Sequence, residues 1–299
     1  MDNVSRRNVI GTVPLMALAA ASRGLDRSQI SAMALRDLEQ KSGGTLGVCI
    51  LDAHSGRYFG NRINERFGMC SSFKLPLAIV ALHEADHGRL RLDEVIHYTK
   101  SDLMRHAPFA EKNLSKGSMT IEEMAQAAQE QSDNTATNLL LKRLGGPITL
   151  TSHLRRLGDP TTRLDHFEPE MNMVQPGEAH DTTTPVATAR FLCQALTGSM
   201  LKPATRDKLI GWMIATQTGV DRLRAGLPKS WRAGDKTGSW WGEGAPNRVN
   251  DVAIFWPPNR APIIVTSYYM PAVLADNIRD QDQAILADVG RIAALWATM

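Results

Sequence analysis

Residues 75 to 82, LPLAIVAL, are apolar on every side, which marks a helix enclosed by other elements rather than one lying on a surface. Pro76 suits a first turn, where N–H groups lack intrahelical partners, so a central helix is predicted to begin here with Ser71 at its start. Residues 28 to 41 carry the spacing of an amphipathic helix. TLGVCILDAHSGRYFG (45 to 60) reads as two strands around a turn at Ala53 to Gly56. Helical spacing recurs near 119 to 130, 132 to 143, 147 to 157, 184 to 197 and 203 to 214, with Gly or Pro between several of these segments. Strand patterns return at 230 to 239, 249 to 256 and 262 to 269, and a last helix is predicted from about 275 to 297. Strands at both chain ends with helices between them imply an antiparallel sheet closed by the two termini. The helical insertion forms a second lobe, and a site is expected in the cleft between lobes.

The length of 299 residues suits one large domain or two intimate lobes, and 43% apolar with 22% charged residues is ordinary for a soluble globular chain. The net charge of +3, from 34 basic and 31 acidic residues, is well mixed and has no basic block, so a nucleic-acid partner is not expected. Cys49, Cys70 and Cys193 form neither a disulfide framework nor a cysteine zinc site, and each is expected to pack as a small buried hydrophobe. Ser5-Arg6-Arg7 followed by the apolar run Val9 to Ala21 has the layout of an export signal, cleaved near Ala19 or Ala21. The run is too short to span a bilayer. Residues 1–21 are therefore expected to direct the chain to the periplasm without stable membrane insertion, and the arginine pair resembles a twin-arginine signal.

Two enzyme signatures share the stretch GMCSSFKLPLAIVALHEADHG. Ser71 to Lys74 fits S-x-x-K, a serine nucleophile served by a lysine one turn on; His83 to His87 fits H-E-x-x-H, the zinc-protease signature. The twelve residues from Ser71 to His83 span roughly 18 Å of helix, so the two cannot serve one reaction centre. The histidines also suit the end of a helix before Gly88, with no third ligand at metzincin spacing. A serine nucleophile needs a base for its proton, donors for the oxyanion and an acid for the leaving nitrogen. Lys74 is at i+3 on the face of Ser71. Ser132-Asp133-Asn134 and Lys236-Thr237-Gly238 follow downstream, each with a bland reading of its own, a helix cap and a solvated edge lysine. In this order the three form the S-x-x-K, S-D-N and K-T-G set of class A β-lactamases and penicillin-binding proteins. RLDHFEPEMN (163 to 172) adds an E-x-x-x-N loop with Glu168 and Asn172, and Asp181 to Pro185 match its end.

With these four elements the chain resembles a class A serine β-lactamase from about residue 26 to 298. The resemblance implies an α/β fold: a five-stranded antiparallel sheet flanked by helices (about 26–64 and 216–299) beside an all-helical lobe (about 65–215), within a catalytic domain of 26–299. It implies a monomer acting on a small-molecule β-lactam without cofactor or metal. Ser71 becomes the acyl-enzyme and Lys74 shuttles its proton, with Lys74 or Glu168 through water as the acylation base. Ser132 protonates the lactam nitrogen, and Asn134 orients Lys74 and the substrate's side-chain amide. Glu168 with Asn172 activates the hydrolytic water. Lys236, Thr237 and Ser239, with Gly238 between them, bind the substrate carboxylate, and the N–H groups of Ser71 and Ser239 form the oxyanion hole. Arg222 is the candidate second carboxylate clamp, with Arg248 as runner-up. A penicillin-binding DD-peptidase or β-lactam sensor, which stays acylated, is the alternative; Glu168 argues against it. Departures from the family are Gln131 in place of an aromatic, Trp240 in place of the cysteine that partners Cys70 in carbapenem-hydrolysing members, a longer stretch from Trp241 to Asn250, and His166 in place of an arginine paired with the aspartate matched by Asp181.

Overall fold

The computed structural model describes residues 26–299; the export signal expected at 1–21 lies outside the described residues. Helix α1 (Arg27–Ser42) starts at Asp26, whose carboxylate accepts from the N–H groups of Ser28 and Gln29, and it stops at Gly43 in the left-handed conformation. Hairpin β1 (Thr45–Asp52) and β2 (Tyr58–Asn61) follows. The middle of the chain runs through β3 (Phe67–Gly68), α2 (Lys74–Asp86), β4 (Val95–His97), α3 (Pro108–Lys112), β5 (Ser118–Thr120), α4 (Ile121–Glu130), α5 (Asn134–Arg143) and α6 (Pro147–Arg156). Then come β6 (Thr182–Thr183), α7 (Pro185–Thr197), α8 (Pro203–Ile214), β7 (Arg232–Trp240), β8 (Arg248–Trp256), β9 (Ile263–Met270) and α9 (Asp280–Thr298).

The main sheet has the order β2-β1-β9-β8-β7, antiparallel throughout, with Thr45 opposite Met270 where the two chain ends meet. The fold is the expected one, a five-stranded antiparallel sheet with helices on both sides. Side chains alternate across each strand. Leu46, Val48, Ile50, Ala253, Phe255 and Val265 meet Leu35 of α1 and Leu286, Val289 and Trp296 of α9 on one face. Cys49, Leu51, Val252, Ile254, Ile264 and Tyr268 join α2 and its helical neighbours on the other. Both faces are covered, so the central strands β1 and β9 read as almost continuous apolar runs.

Helix α2 is buried from Lys74 to Leu82. Each enclosed leucine or isoleucine is worth about 1.5–3 kcal/mol relative to exposure, and Leu75, Leu77, Ile79 and Leu82 are all fully enclosed. One expectation is corrected here. Ser71 does not begin the α-helix but sits in a single 3-10 turn, Cys70–Phe73, and the α-helix starts at Lys74. The turn is tight because Cys70 has φ +45° and β7 presses on it. In a 3-10 turn i and i+3 eclipse, so Ser71 and Lys74 still share a side. Other boundaries moved for local reasons: Ser118–Thr120 pairs with Val95–His97 instead of opening α4, and Asp133 caps α5 from outside.

Candidate active site

Three elements converge on Ser71. Its 3-10 turn leads into α2, the turn between α4 and α5 carries Ser132, α5 opens with Asn134, and edge strand β7 carries Lys236 to Ser239. Lys74, fully enclosed, donates to the Ser132 carbonyl (2.9 Å), to Ser132 Oγ (3.4 Å) and to Asn134 Oδ1 (2.5 Å). Its Nζ also lies 3.2 Å from Glu168 Oε1. Lys236, equally enclosed, donates to Ser132 Oγ (3.1 Å) and to the Thr237 carbonyl (2.9 Å). Burial pushes the pKa of both amines down, Lys236 the further because the Lys74 charge adds to burial, while the carboxylate of Glu168 partly restores that of Lys74. Both amines lie within reach of the Ser132 hydroxyl, the geometry that proton transfer to and from it requires. Ser132 stands in the left-handed region, φ +59°, a placement costing a non-glycine residue on the order of 1 kcal/mol.

Glu168 closes the site from the loop between α6 and β6. Ser71 Oγ donates to Glu168 Oε1 at 3.1 Å, and Asn172 Nδ2 donates to Glu168 Oε2 at 2.7 Å. Asn172 Oδ1 is buried and has no partner among the described residues. Asn138, one turn after Asn134 on α5, grips the Glu168 main chain in both directions: its Nδ2 donates to the Glu168 carbonyl (2.9 Å) and its Oδ1 accepts the Glu168 N–H (3.1 Å). This residue escaped the sequence reading, although an asparagine directly ahead of the Leu139 to Leu141 run of α5 was a signal. The loop neck closes through Asp181, whose Oδ1 accepts the N–H groups of Asp165 and His166 and whose Oδ2 lies 2.6 Å from His166 Nδ1.

Gly238 explains how β7 comes so near the nucleophile: a Cβ there would lie 2.6 Å from the Met69 carbonyl oxygen and 2.8 Å from the Ser72 nitrogen. As an edge strand, β7 leaves outward N–H groups unpaired by the sheet, on the side facing Ser71. Thr237 Oγ1 meets Thr218 Oγ1 at 2.8 Å. Behind β7 lies a buried charge array. Asp235 accepts from Arg224 Nε (2.9 Å) and burial pushes its carboxyl up to about 6; Asp251 is pushed well above its ordinary range by burial and by the charge of Asp235.

The two arginine expectations change. Arg222 belongs to that array: it donates to the carbonyls of Gly238 (3.2 Å) and Asn250 (2.8 Å), to Gln283 and to Ser239 Oγ (2.7 Å). At 4% exposure it holds the β7 end from behind instead of standing open in the cleft. Arg248 is also buried, and its guanidinium donates to the carbonyls of Asn172 (3.2 Å), Val174 and Pro246 (3.3 Å), away from the β7 edge. Its alternation on β8 turns it to the loop. At the far end of α2, Glu84 is engaged by Arg89 (2.6 and 2.8 Å), which holds its carboxyl down at about 2, and His87 Nδ1 meets the His83 carbonyl. Among the described residues no group of three or more His, Cys, Asp or Glu side chains is placed to hold a metal ion. Cys49 and Cys70 are buried, with thiols pushed up to about 12 by burial, whereas Cys193 is only half-buried on α7, against the expectation for it.

A cleft between a sheet edge and a helical lobe, with a hydroxyl flanked by buried amines and faced by a carboxylate, defines a serine hydrolase of the acyl-enzyme kind. The chain belongs to the Beta-lactamase enzyme family, whose model matches residues 30–297, and its relatives are class A members. It is 39% identical to Beta-lactamase CTX-M-97 of Escherichia coli over 289 residues, 96% of either chain. An ancestral class A β-lactamase superposes with a TM-score of 0.83 at 47% identity, covering 89% of this chain and 99% of that one. The crystal structure of a β-lactamase from Xanthomonas campestris gives a TM-score of 0.84 at 42% identity, covering 92% and 100%.

Proposed function

We propose that the protein hydrolyses the β-lactam ring of penicillins and cephalosporins through an acyl-enzyme on Ser71, and so confers resistance to them. The observation that carries this reading is the Glu168 carboxylate 3.1 Å from the Ser71 hydroxyl, braced by Asn172. In acylation Ser71 Oγ bonds to the lactam carbonyl carbon while its proton passes to the Lys74 amine, which lies beside Glu168 Oε1. Lys74, 3.2 Å from that oxygen and 3.4 Å from Ser132 Oγ, carries a proton on to Ser132. Ser132 protonates the lactam nitrogen as the C–N bond breaks, with Lys236 at its hydroxyl. The N–H groups of Ser71 and Ser239 receive the oxyanion; one such donor is worth about 10²–10³ in rate. Lys236, Thr237 and Ser239 bind the substrate carboxylate, with Arg222 orienting Ser239, while Asn134 orients Lys74 and the side-chain amide.

In deacylation Glu168 takes a proton from water, with the unpartnered Asn172 Oδ1 as a second acceptor for it. The hydroxide adds to the ester carbonyl, and Ser71 leaves with the proton. The chemistry draws on side chains and water. A DD-peptidase or β-lactam sensor would stay at the acyl-enzyme, and a carboxylate in contact with the nucleophile disfavours that reading. Export to the periplasm by the twin-arginine route is supported by Arg6-Arg7 and the apolar run after them. No described helix is long and apolar enough to cross a membrane.

The test is Glu168→Ala. Acylation keeps Lys74, but nothing replaces the base of the second step, and a positioned general base contributes about 10²–10⁴-fold. The variant is expected to release a burst of about one equivalent and then nearly stop, with mass spectrometry finding an intact penicilloyl adduct on the peptide containing Ser71. Turnover near the wild-type rate, or an adduct elsewhere, overturns the assignment.

A further inference from the structure

Arg248 touches three segments that the catalytic residues depend on. Its guanidinium donates to the carbonyls of Asn172 and Val174, on the return limb of the Glu168 loop, and to the carbonyl of Pro246 in the β7–β8 turn. On its other side lies Gly68, three residues before Ser71, where a Cβ would come 2.7 Å from Nε and 3.1 Å from Cδ and Cζ. The side chain is 5% exposed, and its hydrogen bonds go to main-chain oxygens rather than to a carboxylate. An arginine buried on these terms carries a large desolvation cost. Carbonyls on an irregular segment need donors as much as those in a helix do, and a planar fork reaches several at once.

We propose that Arg248 is a positioning residue for deacylation, acting through Asn172 on Glu168, and not a clamp for the substrate carboxylate. The inference rests on the reading of Glu168 as the deacylating base. Asn172 is held from behind at its carbonyl by Arg248 and holds Glu168 Oε2 in front through its amide. The contact with Gly68 sets the same guanidinium against the lead-in to Ser71. One side chain thus fixes the spacing between nucleophile segment and base segment. Loosening the return limb moves Glu168 while leaving Ser71, Lys74, Ser132 and Lys236 on the 3-10 turn, α2, the α4–α5 turn and β7.

Kinetics separate the possible roles, because for an acyl-enzyme kcat/KM reports acylation only, whereas slowed deacylation lowers kcat and KM together. Arg248→Ala is expected to lower kcat on benzylpenicillin by about 10- to 100-fold, the scale of a misplacement near 1 Å, with KM falling in parallel and kcat/KM nearly unchanged. Quenched samples should show the Ser71 acyl-enzyme accumulating. Arg248→Lys, which keeps the charge but not the fork, should recover part of kcat. Gly68→Ala, which keeps the arginine but displaces its guanidinium, should show the same split in smaller degree. A raised KM with lowered kcat/KM would mean a carboxylate clamp, and a lowered melting temperature with wild-type kinetics a purely structural role; either overturns the proposal. Should Arg248→Ala not fold, Arg248→Lys and Gly68→Ala decide by the same split. If Glu168→Ala also fails to accumulate acyl-enzyme, the reading of Glu168 is at fault; if it accumulates while the Arg248 and Gly68 variants do not, only the role of Arg248 falls.

Discussion

Ser71 and Lys74 stand at the head of a helix covered on every face, whereas Glu168 stands on a stretch between α6 and β6 whose regular structure is a single 3-10 turn, Glu170–Asn172. The first region is held by non-directional burial of Leu75, Leu77 and Ile79 and by the press of β7 at Gly238. The second is held by directed bonds from side chains to main chain: Asn138 to Glu168, Asp181 to residues 165 and 166, Arg248 to Asn172 and Val174. A typical bond of that kind is worth about 1 kcal/mol net, and these bonds act beside the burial of Leu164 and Met171 in the main core. Acylation machinery thus sits on packed elements and deacylation machinery on a strapped loop. Substitutions that leave the core intact are expected to touch the second half of the reaction first.

The largest effect that would break this contrast belongs to Gly238→Ala. A Cβ 2.6 Å from the Met69 carbonyl oxygen forces β7 away from the nucleophile turn. The expected result is a loss of about 100-fold in kcat/KM without accumulation of acyl-enzyme, the reverse of the loop variants. Accumulated acyl-enzyme in this variant would show that β7 governs deacylation and would dissolve the distinction.

A smaller effect belongs to the loop neck. The hydrogen bond that His166 donates to Asp181, joined by the charges of Asp181, Asp165 and Glu170, raises the pKa of His166, against a lowering by partial burial; His180 and Arg163 are the neighbouring basic groups, the latter engaged by Asp165. Because the folded pKa is raised, the pair's stabilisation is complete below the reference of about 6.5 and is lost as pH rises through the folded value. His166→Arg keeps its charge throughout, so it should raise the melting temperature at pH 8 more than at pH 5.5. With the imidazole 54% exposed, solvent screening limits the gain to about 2 °C. Equal shifts at the two pH values count against the pair.

The smallest effect sharpens the contrast by exclusion. EDTA, and His83→Ala combined with His87→Ala, should leave penicillin hydrolysis unchanged, since those side chains sit at the opposite end of α2 from Ser71. A tenfold loss measured on the purified enzyme would tie that end of the helix to the chemistry.

Much of the site was legible because its residues come as short local signatures: Ser71 with Lys74, Ser132 with Asn134, Lys236 with Thr237, Glu168 with Asn172. The strands β3 to β6 were not, since two or three residues show no period. Nor were the left-handed backbones of Cys70 and Ser132, which neighbouring elements impose against local preference. Arg222 as carboxylate clamp, with Arg248 as runner-up, came from the resemblance; which carbonyls a guanidinium meets depends on how far the β7–β8 turn lies from the Glu168 loop, a distance no local pattern encodes.

Local periodicity was thus enough to determine the sheet of two chain ends and the enclosed helix, while the reacting groups were read from short motifs through the family resemblance they carry. The tertiary structure alone decided that Asn138, Asp181 and Arg248 strap the Glu168 loop, and that Gly238 brings β7 within contact of Met69 and Ser72. The physical reason is separation along the chain. Asn138 lies 30 residues from Glu168 and Arg248 lies 76 from Asn172, so their bonds exist only after packing of both cores has brought distant segments within hydrogen-bonding reach.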